Sequence, residues 1–286
     1  MAIEVRKFDA PLGAEIIGVD CAGDLSGALI GEIEEAWYDN LLVVFRRQEL
    51  DDDRLMAFTR RFGELDMAPP NPTGRPWLPE TPEINVVTNI RAGGELTGNA
   101  GNSEMSWHSD LGYIEVPPSA SLLYCITCPA VGGDTYFANM YLAYEALPAE
   151  TRDTIKGLKA IHDISTNASG VLRAGYDKVT DPRETPGCRH PLVRLHPKTG
   201  RKTLFLPRRL NGYVLGLEPA DSEALLDMLW AHAARDEFTF GHQWRQGDLV
   251  MWDNRCTIHR RDGFDDSYTR LMHRTQVKGT EPPIPA

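Results

Sequence analysis

Two histidines and an aspartate carry the first chemistry legible in this chain. Trp107-His108-Ser109-Asp110 sets an imidazole and a carboxylate at i and i+2. In an extended segment such positions point to the same side, so His108 and Asp110 can share one metal ion. A His-x-Asp pair is common and alone means little; a third ligand has to come from a distant strand. His259, closing GDLVMWDNRCTIH, is presented by a strand and turn and is the best candidate. Among the other histidines, His190 and His196 flank an apolar strand, while His162, His232 and His242 fall in helical or polar settings. His273 lies in the closing LMHRT, where a structural role suits it. Two imidazoles and one carboxylate occupy one face of an octahedron. They leave adjacent positions open for a chelating co-substrate and O2, as in non-haem Fe(II) oxygenases. Zinc accepts the same donors, usually with tetrahedral closure or a water. The ligands alone therefore leave open a metal-dependent hydrolase and, in another class, a non-catalytic metal-binding sensor.

Strands are needed to hold such ligands, and the sequence supplies them. LLVVF at 41–45, INVVT at 84–88, and further runs near 119–126, 134–138, 192–196 and 203–206 read as strands, as do DLVMWD, TIHR and TRLMHRTQVKG at the end. Apolar positions at helical spacing predict helices over 26–39, 51–62, 140–158 and 219–234, with Pro148 breaking the third into two. In 51–62 acids lead and arginines trail, an order that complements the helix dipole. Helices are few and peripheral, and the βαβ alternation of a parallel sheet is missing. The fold class expected is mainly β with peripheral helices, a jelly-roll core. Residues 66–107 are rich in Pro, then Gly and Asn, and read as a long loop, a candidate lid beside the site.

The 286 residues are 42% hydrophobic, enough for one sizeable domain spanning 1–286. The net charge of −11 and the absence of a long basic run argue against a nucleic-acid partner. The two basic spots, Arg208-Arg209 and Arg260-Arg261, read as solvated surface. MAIEVRKFDA lacks the apolar core of a signal peptide, and no run is long enough for a membrane span, so a cytoplasmic location is expected. The cysteines, Cys21, Cys125, Cys128, Cys188 and Cys256, give no disulfide framework; Cys125 and Cys128 read as core-strand thiols.

Several motifs in order resemble the taurine dioxygenase and 2,4-dichlorophenoxyacetate dioxygenase family: LGAEIIGVD, FTRRFGEL at 58–65, WHSD at 107–110, GGDTYFANM at 132–140, HPKTGRKTLF at 196–205, GDLVMWDNRCTIHR at 247–260 and RLMHR at 270–274. The resemblance runs through nearly the whole chain. It implies a double-stranded β-helix that uses Fe(II), 2-oxoglutarate and O2, hydroxylates a small anionic substrate and yields succinate and CO2. It implies that His108, Asp110 and His259 hold iron, and that Thr135 and Arg270 bind the far carboxylate of 2-oxoglutarate. Arg274 then meets the anion of the primary substrate, and Trp252 lies near the iron. By analogy the chain forms a dimer or tetramer. The residues agree with these roles: 270 and 274 share a strand face, and a guanidinium suits a carboxylate. Thr135 can add a hydroxyl donor.

The chain departs from taurine-specific members at two places. DMAPPNP after FGEL has no histidine, and Glu104 stands four residues before His108, where those members carry asparagine. A carboxylate at that spacing would face the substrate pocket and repel a sulfonate. Tyr113, Leu111 and Phe137 would line a less polar pocket, better suited to an aryloxyalkanoate or another carboxylate than to taurine.

Overall fold

LLVVF, apolar throughout, becomes the strand Leu42–Phe45, buried at every position. Leu42 and Val44 join one cluster with Leu123, Cys125, Val250, Trp252 and Met272, whereas Val43 and Phe45 join another with Leu122, Tyr124, Leu249 and Met251. This two-residue alternation is the pleat of a sheet covered on both faces. The computed structural model describes residues 3–71, 73–168, 170–207 and 210–286. Its larger sheet has eight strands in the order Glu4–Lys7, Ala14–Ile17, Leu42–Phe45, Leu249–Asp253, Ala120–Thr127, Leu271–Val277, Asn85–Thr88, Asn99–Ala100. A four-stranded sheet runs Thr239–His242, Thr135–Asn139, Thr257–Arg261, Met105–His108. Pairing is antiparallel except between Ala14–Ile17 and Leu42–Phe45 and between Asn85–Thr88 and Asn99–Ala100.

Helices Gly27–Asn40 and Asp52–Thr59 cover one face of the larger sheet through Ile30, Ile33, Trp37, Leu55 and Phe58. Both start on side-chain caps, Ser26 accepting from the Leu29 N–H and Asp51 from the Arg54 N–H. The second helix ends at Thr59, short of the arginines expected in its last turn, because Arg61 and Phe62 bond to Phe58 and Thr59 in tighter turns. Pro148 divides Met140–Glu145 from Ala149–Ile155, and Pro219–Ala233 packs with both around Leu147, Leu226 and Leu229. The fold is thus mainly β with peripheral helices. Among the described residues no helix is long and apolar enough to cross a membrane.

Four expectations need correction. Residues 66–107 are not simply loop: Arg91–Ala92 and Glu95–Leu96 pair as a hairpin, and Asn99–Ala100 joins the larger sheet. Gly93 and Gly94, at φ of +59° and +88°, supply the left-handed turn a two-residue hairpin requires. His162 and His242 lie on strands, Lys159–Asp163 and Thr239–His242, whose polar residues hid them. Phe137 is a core residue packed beside Trp252 rather than part of a cavity wall. Of the basic spots, Arg208-Arg209 lies outside the described residues, and Arg261 is not surface at all, being 4% exposed.

Candidate active site

His108 ends the strand Met105–His108 and faces His259 directly across the Thr257–Arg261 strand. Their ring centroids lie 4.3 Å apart. Asp110 follows two residues after His108, and one ligand atom from each of the three side chains lies within 4.8 Å of the others. All three are buried. His108 Nδ1 lies 2.7 Å from the Ser106 carbonyl oxygen, which can only accept. Nδ1 is therefore the donor, and Nε2 is the ring nitrogen left to face a metal. Burial, against the pull of Asp110, lowers His259 to about 4, so its imidazole is neutral at physiological pH. Two imidazoles and one carboxylate fit a divalent metal, and fit Fe(II) chemistry in particular.

Asp110 is held from two sides. Arg274 Nη1 donates to Oδ1 at 2.7 Å, and Ser121 Oγ donates to Oδ2 at 2.7 Å. Burial alone would raise its carboxyl; Arg274, then His259 and His108, outweigh that and hold it well below the usual carboxylate range. Ser121 also accepts from Asn254 Nδ2 and Gln276 Nε2, both at 2.9 Å. Asn254 Oδ1 in turn accepts from the Trp252 indole at 2.9 Å. The sheet register explains this belt, since Ser121 lies directly between Trp252 and Gln276 on neighbouring strands.

Thr135 and Arg270 lie at another part of the same cavity. The Trp244 indole donates to Thr135 Oγ1 at 2.9 Å, which leaves the threonine proton to point elsewhere. Arg270 is 1% exposed, its backbone anchored by Asn89 Oδ1 and Thr88 Oγ1. Burial first, then the charge of Arg261 beside it, lower Arg270 to about 9, so the cation persists at neutral pH.

Of the residues expected from sequence, His108, Asp110, His259, Thr135, Arg270, Arg274, Tyr113, Leu111 and Trp252 all line this one cavity, which draws on both sheets. Glu104 does not, and its expected pocket position is corrected: it is exposed. His259 pairs with His108 and Arg261 with Met105, so two steps on one strand oppose three on the other. The extra residue is a β-bulge that inverts the alternation. Met105 faces the cavity with His108, and Glu104 turns outward.

Sequence reasoning missed Arg261, Arg173, Ser121 and Trp244. Arg261 had a signal, since it stands two residues after His259 on a strand and must share its face. Arg173 reaches the cavity from a loop, donating from Nη1 to Tyr113 Oη at 2.8 Å with its guanidinium 4.4 Å from that ring. Nothing local in the sequence marks it.

Residues 4–276 match the family described as Taurine catabolism dioxygenase TauD, TfdA family. The chain belongs to this family. It is 32% identical to an (S)-phenoxypropionate/alpha-ketoglutarate-dioxygenase of Sphingobium herbicidovorans, over 97% of this chain and 96% of that protein. It is 33% identical to an alpha-ketoglutarate-dependent 2,4-dichlorophenoxyacetate dioxygenase of Cupriavidus pinatubonensis, over 96% and 97%. The crystal structure of a taurine dioxygenase from Burkholderia xenovorans superposes with a TM-score of 0.79 at 32% identity, covering 99% of this chain and 93% of that one. The activity is that of a dioxygenase dependent on Fe(II), 2-oxoglutarate and O2.

Proposed function

We propose that this enzyme hydroxylates a small organic carboxylate, an aryloxyalkanoate or a close analogue in preference to taurine. The observation that carries the reading is the charge of the cavity wall. Among the described residues it presents Arg173, Arg261, Arg270 and Arg274 against the single carboxylate of Asp110. Between them lie Val87, Leu111, Leu123, Tyr113 and Trp252, a largely apolar lining that suits an aromatic body. Relatives named for aryloxy acids and for taurine stand at nearly equal identity, so the ranking rests on this wall. Glu104 no longer contributes to it.

In this reading His108, Asp110 and His259 hold the iron, on a jelly-roll core of one domain, and residues 66–107 include the lid. Iron held there, with 2-oxoglutarate and O2, supplies the oxidation of a substrate C–H bond, with succinate and CO2 as co-products. Ser121 and Arg274 keep Asp110 ionised and fixed. Thr135 and Arg270 orient the far carboxylate of 2-oxoglutarate, and Trp244 fixes the threonine hydroxyl. Arg274 Nε has no hydrogen-bond partner among the described residues and is available to the substrate anion. Burial of these donors makes each hydrogen bond stronger than it would be in water.

Turnover of phenoxyacetate, 2-phenoxypropionate and taurine, each followed by succinate release, tests the ranking. Efficient use of taurine would overturn it. The anion anchor is tested by comparing an aryloxy acid with its uncharged amide. Arg274→Gln should erase most of the preference for the acid, a charge-assisted contact being worth roughly tenfold or more. An undiminished preference removes Arg274 from the role. Alanine at His108, Asp110 or His259 should abolish Fe(II) binding with the far-ultraviolet dichroism unchanged; retained binding sinks the ligand assignment.

A further inference from the structure

The Arg261 side chain is buried at 4% exposure and lines the cavity, yet it has no carboxylate within ion-pair distance among the described residues. One nitrogen is used: Nη2 donates to the carbonyl oxygens of Ala100 and Ser103. Nε and Nη1 have no hydrogen-bond partner among the described residues. The Phe264 ring stands 5.4 Å from the guanidinium. A cation kept out of water with donors unused is costly unless an anion meets it.

Its position says which anion. Arg261 stands directly opposite Thr135 in the ladder between Thr257–Arg261 and Thr135–Asn139. Directly opposed side chains share a face, with Cβ atoms roughly 5 Å apart. His259 lies two residues back on the same face. Arg270 approaches from the other sheet, and a methyl group built on Gly133 would touch both the Phe264 ring, at 3.3 Å, and Arg270 Cδ, at 3.6 Å. Arg261 and Arg270 therefore flank one spot beside Thr135. Arg270 likewise has Nε and Nη1 without partners among the described residues.

Resting on the reading that Arg270 and Thr135 form the co-substrate end, we infer that Arg261 is a second guanidinium for the far carboxylate of 2-oxoglutarate. The carboxylate joins two cations that otherwise repel each other. The same side chain holds residues 100 and 103 of the candidate lid through their carbonyl oxygens. Binding at Nε and Nη1 fixes the guanidinium and so fastens that loop, where Ala100 and Gly101 already adopt φ of +78° and +50°. Co-substrate binding and loop ordering are coupled through this one residue.

The test is equilibrium binding to the Fe(II) protein without O2, comparing 2-oxoglutarate with pyruvate. Pyruvate has the same keto-acid head and no far carboxylate. Arg261→Met should weaken 2-oxoglutarate roughly tenfold or more and leave pyruvate unchanged, with Arg261→Lys recovering part of the loss. Arg270→Met serves as the reference. If Arg270→Met weakens 2-oxoglutarate and Arg261→Met does not, this inference is overturned while the co-substrate reading stands. If neither variant matters, the co-substrate end itself is misplaced. Equal weakening of pyruvate and 2-oxoglutarate in Arg261→Met means that the substitution disrupts the loop and that Arg261 makes no bond of its own to the far carboxylate; it also overturns the inference. Should the Met variant fail to fold, Arg261→Lys carries the comparison: it should weaken 2-oxoglutarate and not pyruvate, and unchanged 2-oxoglutarate affinity rejects the role. The loop is read by cleavage after the exposed Glu104 with a glutamate-specific protease. 2-Oxoglutarate should slow it in the wild type and not in Arg261→Met; equal protection in both rejects the coupling.

Discussion

Ser121→Ala removes one oxygen and should cost far more than one hydrogen bond. Ser121 Oγ donates to Asp110 Oδ2 and accepts from Asn254 Nδ2 and Gln276 Nε2, and all four residues are buried. Alanine leaves two amide donors without their acceptor and a carboxylate short of a donor. An orphaned buried polar group costs roughly 1–3 kcal/mol. The three losses share one network and will not add fully, so about 3 kcal/mol of stability is expected. Asn254 also accepts from Trp252, so any rotation it makes to find a new partner releases that indole as well. Urea unfolding reads the loss as a lower midpoint at unchanged slope. Fe(II) affinity should fall alongside, because Asp110 keeps only its Arg274 hydrogen bond on Oδ1. A loss below about 1 kcal/mol, the value of one ordinary hydrogen bond, would refute the hub.

Trp244→Phe should raise the 2-oxoglutarate KM by a factor corresponding to about 1 kcal/mol with little change in kcat, since it only frees the Thr135 hydroxyl to turn. In a Thr135→Val background the same change should have no further effect; full additivity would show that the indole acts elsewhere. Glu104→Gln should leave the order of substrates unchanged, as befits an exposed residue. Met105→Glu, which puts a carboxylate on the cavity face, should depress turnover of every anionic substrate, and the opposite pattern would reject the bulge. Burial holds His190, His196 and His242 below their ordinary value, so the unfolded chain takes up protons first as pH falls through about 6.5. Stability is complete above that pH and declines below it. In Asp253 burial opposes ionisation, but Arg255 and His196 prevail and hold it below the carboxylate range, which extends the decline into acid. Thermal midpoints from pH 8 down to 5 check the sign, and a rise on acidification would contradict it.

The second His–Asp–Cys cluster shows why ligand-type residues alone mislead. His196, Asp253 and Cys256 are buried with their ligand atoms mutually within 4.8 Å, as close as the iron candidates. His196 and Asp253 there are already committed to other partners. His196 Nδ1 accepts from the Lys198 and Thr199 backbone N–H groups, and Nε2 faces Asp253 Oδ2 at 2.9 Å. Asp253 also accepts two hydrogen bonds from the Arg255 guanidinium. The sequence carried no sign of this cluster because its members are joined by register and by a side chain two residues away. What it did carry were the long, strongly periodic helices and the fully apolar strands, where one local pattern decides the outcome. Lys159–Asp163 and Gly187–Pro191 escaped because KAIHD and GCRHP carry no clear local strand pattern; they pair with each other, and the first also with Tyr213–Val214.

Strand parity served well at one place and failed at another, and a single physical distinction separates them. Arg270 and Arg274 were assigned to one face by even spacing, and both line the cavity. A bulge lies beside them, where Leu271 and Met272 oppose Thr127 and Cys125. Its extra residue belongs to the Ala120–Thr127 strand, so the alternation of the arginine strand is untouched. Glu104 was expected at the pocket from its place four residues before His108, an even spacing that an unbroken strand would put on the same face. Here the extra residue lies in Met105–His108 itself, between the ligand and the residue being placed, and the face inverts. A bulge in the partner leaves parity intact, and a bulge in the strand reverses it. Nothing in EMSWHSD marks the extra residue, because it is set by the need to bring His108 opposite His259 while Met105 meets Arg261. The irregularity that defeats the reading of Glu104 is the one that brings the two imidazoles together.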